Sequence, residues 1–164
     1  MQFVSILAEG VDDFKAMELC AQTLEKFGVS YELVLASAHR GVQRTESYIK
    51  EAEEKGAKVF IAASGGMNHL AGFVAARTIK PVISVPIDKG LQGIDTLPLA
   101  IQMGAGVPVA SVAIGRDGVL NSAFLAMQIL ALVDTNLEAK LSEERILKTK
   151  KIQTDSAQIE VRLT

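Results

Sequence analysis

The chain has 164 residues, 49% of them apolar and 22% charged, with a net charge of −2. That is one domain with room for a substantial core, and the near-neutral balance, with 5% aromatics and no basic stripe, excludes nucleic acid as a main partner. A single cysteine excludes an intramolecular disulfide, and no apolar run approaches the ~18 residues that a membrane span needs.

Residues 3–8 form a short apolar run without the basic flank of a secretion signal, and Glu9 ends it early, so the expected setting is the cytoplasm. A helix-like stretch over 12–27 follows. It carries Phe14, Met17, Leu19, Ala21, Leu24 and Phe27 at roughly helical spacing, with Gly28 as a stop signal. Cys20 falls inside this stretch, where a buried, inert thiol is expected. The runs 31–36, 59–63, 82–85 and 109–114 read as further strands, apolar on both faces as buried parallel strands are. Between them lie an amphipathic stretch over 43–55, closed by Gly56, and crossovers over 68–78, 94–103 and 121–134. Strand–helix alternation of this kind predicts an α/β fold: one doubly wound parallel sheet in three αβα layers, flavodoxin-like or Rossmann-like.

This α/β domain is expected to occupy residues 1–134. A charged helix over 136–151, with Leu137, Leu141, Ile146 and Leu147, and a tail after it make up a C-terminal segment, 135–164, expected to pack on a neighbouring subunit. For the tail, a frayed end and an arm over a neighbour both stay open. The stretch "FLAMQILALV", residues 124–133, is apolar nearly all round and needs cover on more than one face, which predicts a homo-oligomer.

Familiar cofactor signatures are missing. The first loop reads "AEGVDDF" instead of G-x-G-x-x-G, and the chain has no Walker lysine motif, no H-E-x-x-H and no G-x-S-x-G. No cofactor and no metal are expected. What remains is a set of polar loop residues after the first three strands: Glu9, Gly10, Asp12 and Asp13, then Ser37, Ala38, His39 and Arg40, then Ser64, Gly65, Gly66, His69 and Leu70. In a parallel sheet these loops converge on one edge, where such sheets place ligands. One aspartate is expected to cap the first helix, leaving the other for a sugar hydroxyl. Ser37 and Arg40 suit a phosphate or carboxylate clamp, and the glycine pair lets a ligand approach the backbone. His39 and His69 read either as structural histidines or as acid–base groups facing each other across a cleft.

In order, "SAHR", "GGMNHLAG", "GLQGIDTL", "IQMGAGVPVASVAIG" and "NSAFLAMQILAL" resemble the PurE family, the 5-(carboxyamino)imidazole ribonucleotide mutases of purine synthesis. The likeness covers roughly residues 4–134. It implies a doubly wound domain assembled as an octamer with active sites at subunit contacts, and no cofactor. It also implies a small ribonucleotide substrate whose carboxylate moves from an exocyclic nitrogen to a ring carbon through decarboxylation and recarboxylation. By the same resemblance, Ser37, Ala38, His39 and Arg40 match the phosphate and catalytic loop. Ser64, Gly65, Gly66, His69 and Leu70 match the carboxylate pocket, and Asp13 matches the ribose-binding aspartate. A histidine at position 69 favours the mutase branch over the branch that uses free carbon dioxide.

The first loop departs from the family's "GSxSD". Gly10 and Asp12 stand where it has serines, and Glu9 stands where it has glycine. Gly10 and Asp12 remain in the expected substrate-binding set with Asp13. The readings that compete with the mutase are a paralogue acting on another carboxylated heterocycle, a carboxylase using free carbon dioxide, and a binding module without chemistry.

Overall fold

In the computed structural model, which describes residues 2–65, 69–87 and 103–159, five parallel strands stand in the order β2-β1-β3-β4-β5. They are β1 (Phe3–Ala8), β2 (Tyr31–Leu35), β3 (Ala57–Ser64), β4 (Val82–Pro86) and β5 (Ala110–Ser111). The helices are α1 (Val11–Lys26), α2 (Val42–Lys55), α3 (His69–Ala75), α4 (Gly115–Ala131) and α5 (Thr135–Ile159). The expected three-layer αβα fold is the observed one.

Alternation along the strands builds two cores. Val4 and Ile6 of β1, with Val59 and Ile61 of β3, point into a cluster with Met17, Cys20 and Leu24 of α1 and Ala123, Ala126 and Met127 of α4. Phe3 and Leu7, with Phe60 and Ala62, point to the other face, against Ile49 and Ala52 of α2 and Leu70 and Val74 of α3. Because successive strand residues face opposite ways, a fully apolar strand can feed both layers. Ser5 is the polar exception in β1; its hydroxyl lies 2.8 Å from the Tyr48 hydroxyl, which donates to Glu32 at 3.0 Å. Burial raises the Tyr48 pKa, the Ser5 contact partly opposes this, and the Glu32 carboxylate adds to it.

Right-handed crossovers explain the strand order. The chain runs from β1 outward to β2 through α1 on one face, then returns past β1 to β3 through α2 on the other. The connections therefore diverge between the carboxyl ends of β1 and β3, and a crevice opens there.

Three elements differ from expectation. The strand expected over 109–114 pairs only through Ala110 and Ser111, against Ile83 and Ser84, because it is an edge strand and the chain soon turns into α4. Helix α4 begins at Gly115, well before residue 121. Its Gly118 explains why the sequence hid this turn. A β-carbon there would sit 2.8 Å from the Ala113 carbonyl carbon and closer still to its oxygen, so only glycine fits. At its other end α4 stops at Ala131, so Leu132 and Val133 of the expected apolar helix lie beyond it and are exposed.

The C-terminal helix starts on Asp134, whose carboxylate accepts the backbone N–H groups of Asn136 and Leu137 at 3.0 Å. It continues through Ile159, past the expected end at 151. Leu137 and Leu141 join the α1/α4 core, and Lys140 donates to the Phe27 carbonyl at 2.9 Å. The first turns of α5 are therefore part of the body. The expected helix over 94–103, apart from Met103, lies outside the described residues, as do Gly66, residue 68 and the tail beyond 159. Among the described residues, no helix is long and apolar enough to cross a membrane.

Candidate active site

The loop between β2 and α2 is shaped by two hydroxyls. The Ser37 N–H donates to the Thr45 hydroxyl at 3.1 Å, and that hydroxyl donates back to the Ser37 carbonyl at 3.1 Å. The Ser37 hydroxyl accepts the backbone N–H of His39 at 3.3 Å and of Arg40 at 3.1 Å. Such a serine turn replaces ladder bonds the chain has just left and fixes the next side chains. Among the described residues the Ser37 hydroxyl hydrogen finds no acceptor, which leaves it for a ligand. Ala38 is half-buried between these anchors.

His39 therefore leaves the loop toward α3. Its Nε2 lies 2.8 Å from Nδ1 of His69, with the rings edge-to-face at 71° and centroids 4.9 Å apart. His69 is the first residue of α3, and both rings are exposed. The hydrogen bond makes their tautomers interdependent: one of the two facing nitrogens must carry the proton and the other must accept it.

The crevice between β1 and β3 is bridged by Glu9. Its N–H continues the ladder to the Ala63 carbonyl at 3.1 Å, and its carboxylate accepts the hydroxyl of Ser64 across the gap. Its carbonyl accepts Nη2 of Arg40 at 3.3 Å, so Arg40 leans over the same loop. Gly10 caps α1 through its backbone alone, with no side-chain cap. The expectation that an aspartate caps this helix is thus corrected. Asp12 and Asp13 lie two and three residues further on, inside the first turn, where their charges favour the helix dipole. Asp12 is exposed, whereas Asp13 is buried with its carboxylate beside Gly10.

Between the starts of α1 and α2 lies a cleft of about 300 Å³, lined by Glu9, Gly10, Ser37, Arg40, Gly41, Arg44 and Thr45 with Val11, Leu35 and Ala36. The structure thus gathers Gly10, Ser37 and Arg40 around one cavity, with His39 and His69 paired beside it. Asp12 does not line it. Ser64 and Gly65 are buried at the end of β3, and the Leu70 side chain is wholly buried in the α2/α3 core, so only its backbone is available to a ligand. Gly66 is outside the described residues. Arg44 and Thr45 were missing from the expected site, while Glu9 stood among the polar residues after the first strand without a binding role assigned to it. Thr45 and Arg44 lie inside α2, where only the tertiary fold brings them to the loop. Among the described residues, no three His, Cys, Asp or Glu side chains cluster as a metal site.

Residues 3–151 match the AIR carboxylase family. Over 150 residues the chain is 43% identical to the N5-carboxyaminoimidazole ribonucleotide mutase of Brucella melitensis, covering 91% of this chain and 93% of that protein. The protein of the same name from Escherichia coli is 39% identical over 153 residues, covering 93% and 88%. A crystal structure of Treponema denticola PurE superposes with a TM-score of 0.86 at 25% identity, covering 98% of this chain and 100% of that one. Sequence likeness along nearly the whole length and the close overall superposition agree: the chain belongs to the AIR carboxylase family.

Proposed function

We propose that this protein is an N5-carboxyaminoimidazole ribonucleotide mutase, with His39 and His69 as its proton-transfer pair. The observation that carries the residue assignment is the 2.8 Å bond between the two imidazoles at the ligand edge of the sheet.

The reaction sets a specific demand. Cleaving the carbamate C–N bond releases carbon dioxide and leaves an exocyclic nitrogen that must gain a proton. When the ring carbon attacks the carbon dioxide, that carbon must lose one. The net change moves a carboxylate one way and a proton the other. A hydrogen-bonded histidine pair suits this, because it presents one outward acceptor and one outward donor. If His39 donates through Nε2, its Nδ1 is an acceptor and Nε2–H of His69 is a donor; uptake of a proton at His39 Nδ1, transfer of the shared proton to His69 Nδ1 and release of the proton on His69 Nε2 invert both while each ring ends neutral. The pair can therefore take a proton at one end and return one at the other. The Ser37 hydroxyl and the Arg40 guanidinium hold the phosphate, Asp13 takes the ribose, and Ser64 with Gly65 forms the floor that retains carbon dioxide.

Glu9 favours a second reading. Its carboxylate spans the crevice and occupies the Ser64 hydroxyl, a charge that would suit a related carboxylated heterocycle with a further N–H donor. One assay separates the two. Purified protein incubated with N5-carboxyaminoimidazole ribonucleotide should form the ring-carboxylated product, followed by ultraviolet absorbance. Product only from aminoimidazole ribonucleotide and bicarbonate would show the carboxylase reaction instead, and no product from either would favour the other heterocycle.

We further infer a cytoplasmic homo-octamer in which the segment 135–164 packs on neighbouring subunits. Ile146, Leu147 and Ile152, exposed apolar side chains on α5 beyond the turns that join the body, support this, as do the exposed Leu132 and Val133 just before the helix.

A further inference from the structure

We infer that Arg44 is a second phosphate-binding residue, making the cleft beside the histidine pair selective for a phosphomonoester dianion. This rests on the mutase reading and adds to it a residue in α2 that sets the charge of the accepted substrate.

Arg44 lines the same cleft of about 300 Å³ as Ser37 and Arg40. It stands in the first turn of α2, which contains no acidic residue, and the N-cap Gly41 offers no side chain. A cation in that turn opposes the helix dipole, so the position does not serve the helix. Nor does it serve an ion pair: among the described residues Arg44 has no salt bridge or hydrogen bond, although Arg77 and Lys55 each find a glutamate. A residue that breaks a local rule without a local partner is expected where function requires it.

The charges facing the cleft fit a dianion better than a carboxylate. Arg40 and Arg44 contribute two positive charges, and Ser37 adds a hydroxyl donor. The acidic residue on the lining is Glu9, and its carboxylate is turned to Ser64 while its backbone carbonyl holds Arg40. Gly10 contributes backbone and no hydroxyl at the rim, and Asp12 is absent from the lining. A guanidinium from α2 thus supplies donors that the first loop does not, and guanidinium suits phosphate because it can donate two parallel hydrogen bonds.

The test compares wild-type protein with Arg44→Leu and Arg44→Lys, and with Lys50→Leu as a charge-matched control on the same helix. Arg44→Leu should raise KM for the ribonucleotide about tenfold or more while kcat changes much less, Arg44→Lys should recover part of that, and Lys50→Leu should match wild type. Inorganic phosphate, measured by calorimetry without any turnover, should bind Arg44→Leu more weakly by a similar factor. Unchanged KM and unchanged phosphate binding in Arg44→Leu would overturn the inference, and so would an equal loss in Lys50→Leu. If wild type fails to turn over the ribonucleotide, the mutase reading falls, while the phosphate titration still decides the role of Arg44.

Discussion

His39 Nε2 and His69 Nδ1 lie 2.8 Å apart although thirty positions separate them in the chain. Neither ring is buried; His39 belongs to the loop after β2 and His69 opens α3, both at the carboxyl edge of the sheet. The pair is therefore cheap to lose structurally and expensive to lose chemically. His39→Asn and His69→Asn should each cut turnover by about 10²-fold or more. Their melting temperatures should stay near that of wild type. The double variant should be little slower than either single one, because the two rings act as a unit. A kinetic double-mutant cycle with parallel thermal melts checks this; additive losses would mean that the rings act separately.

Thr45 holds the loop that carries His39, without touching the ring. Thr45→Val removes both its bonds to the Ser37 backbone and leaves that half-buried N–H and carbonyl without this partner. Such a loss costs about 1–3 kcal/mol. Thr45→Ser, which keeps the hydroxyl, should restore most of the stability and the activity. Urea unfolding of the two variants together with their turnover provides the measurement.

Cys20 is wholly buried between α1 and α4, where the Ser122 hydroxyl donates to its sulfur at 3.8 Å. Burial pushes its pKa from 9.0 up to about 12, and the Ser122 bond only partly offsets this. A raised acid pKa means that the native state holds the proton more tightly than the unfolded chain. Its contribution is intact below pH 9 and is lost as pH rises from 9 toward 12. Native protein at pH 8 should resist a thiol reagent until denaturant is added. Cys20→Ala should lose less stability than wild type over that alkaline window, as read by denaturant titrations at several pH values.

Gly118 faces the Ala113 carbonyl at a distance that leaves no room for a methyl group. Gly118→Ala should therefore destabilise the protein by about 1–3 kcal/mol, even though alanine is the better helix former. The equivalent change at Gly41, where an added β-carbon meets nothing within 4 Å, should cost less. Thermal melts of both variants make the comparison.

The exposed apolar residues of α5 call for cover. Light scattering of wild type should report a concentration-stable oligomer, and Leu147→Glu with Ile152→Glu should reduce its mass. Leu137 and Leu141, which already belong to the core, are the wrong positions for this test, since changing them would unfold the monomer.

Sequence by itself determined the layered fold. In a parallel sheet covered on both sides, strands such as 3–8 and 59–63 must be apolar on both faces, with Ser5 the exception that finds a polar partner, and glycines such as Gly28 and Gly56 stop the helices between them; both signals are local. It also marked His39, Arg40 and His69 as polar residues at strand ends. Tertiary structure decided the rest. Residues 152–159 carry no stop signal and no apolar stripe, so their helical continuation of α5 was not legible. The start of α4 was hidden because two glycines in its first turn read as a loop, whereas one of them is required by the carbonyl of Ala113. Most of all, the site depends on contacts between residues far apart in sequence. The parallel pairing of β1 with β3 brings Glu9 to Ser64, and the β2/α2 turn carries His39 to His69. Periodicity records which face a residue occupies within its own element; which loop it meets is set by strand order, because the sheet edge is assembled only when all the crossovers have closed.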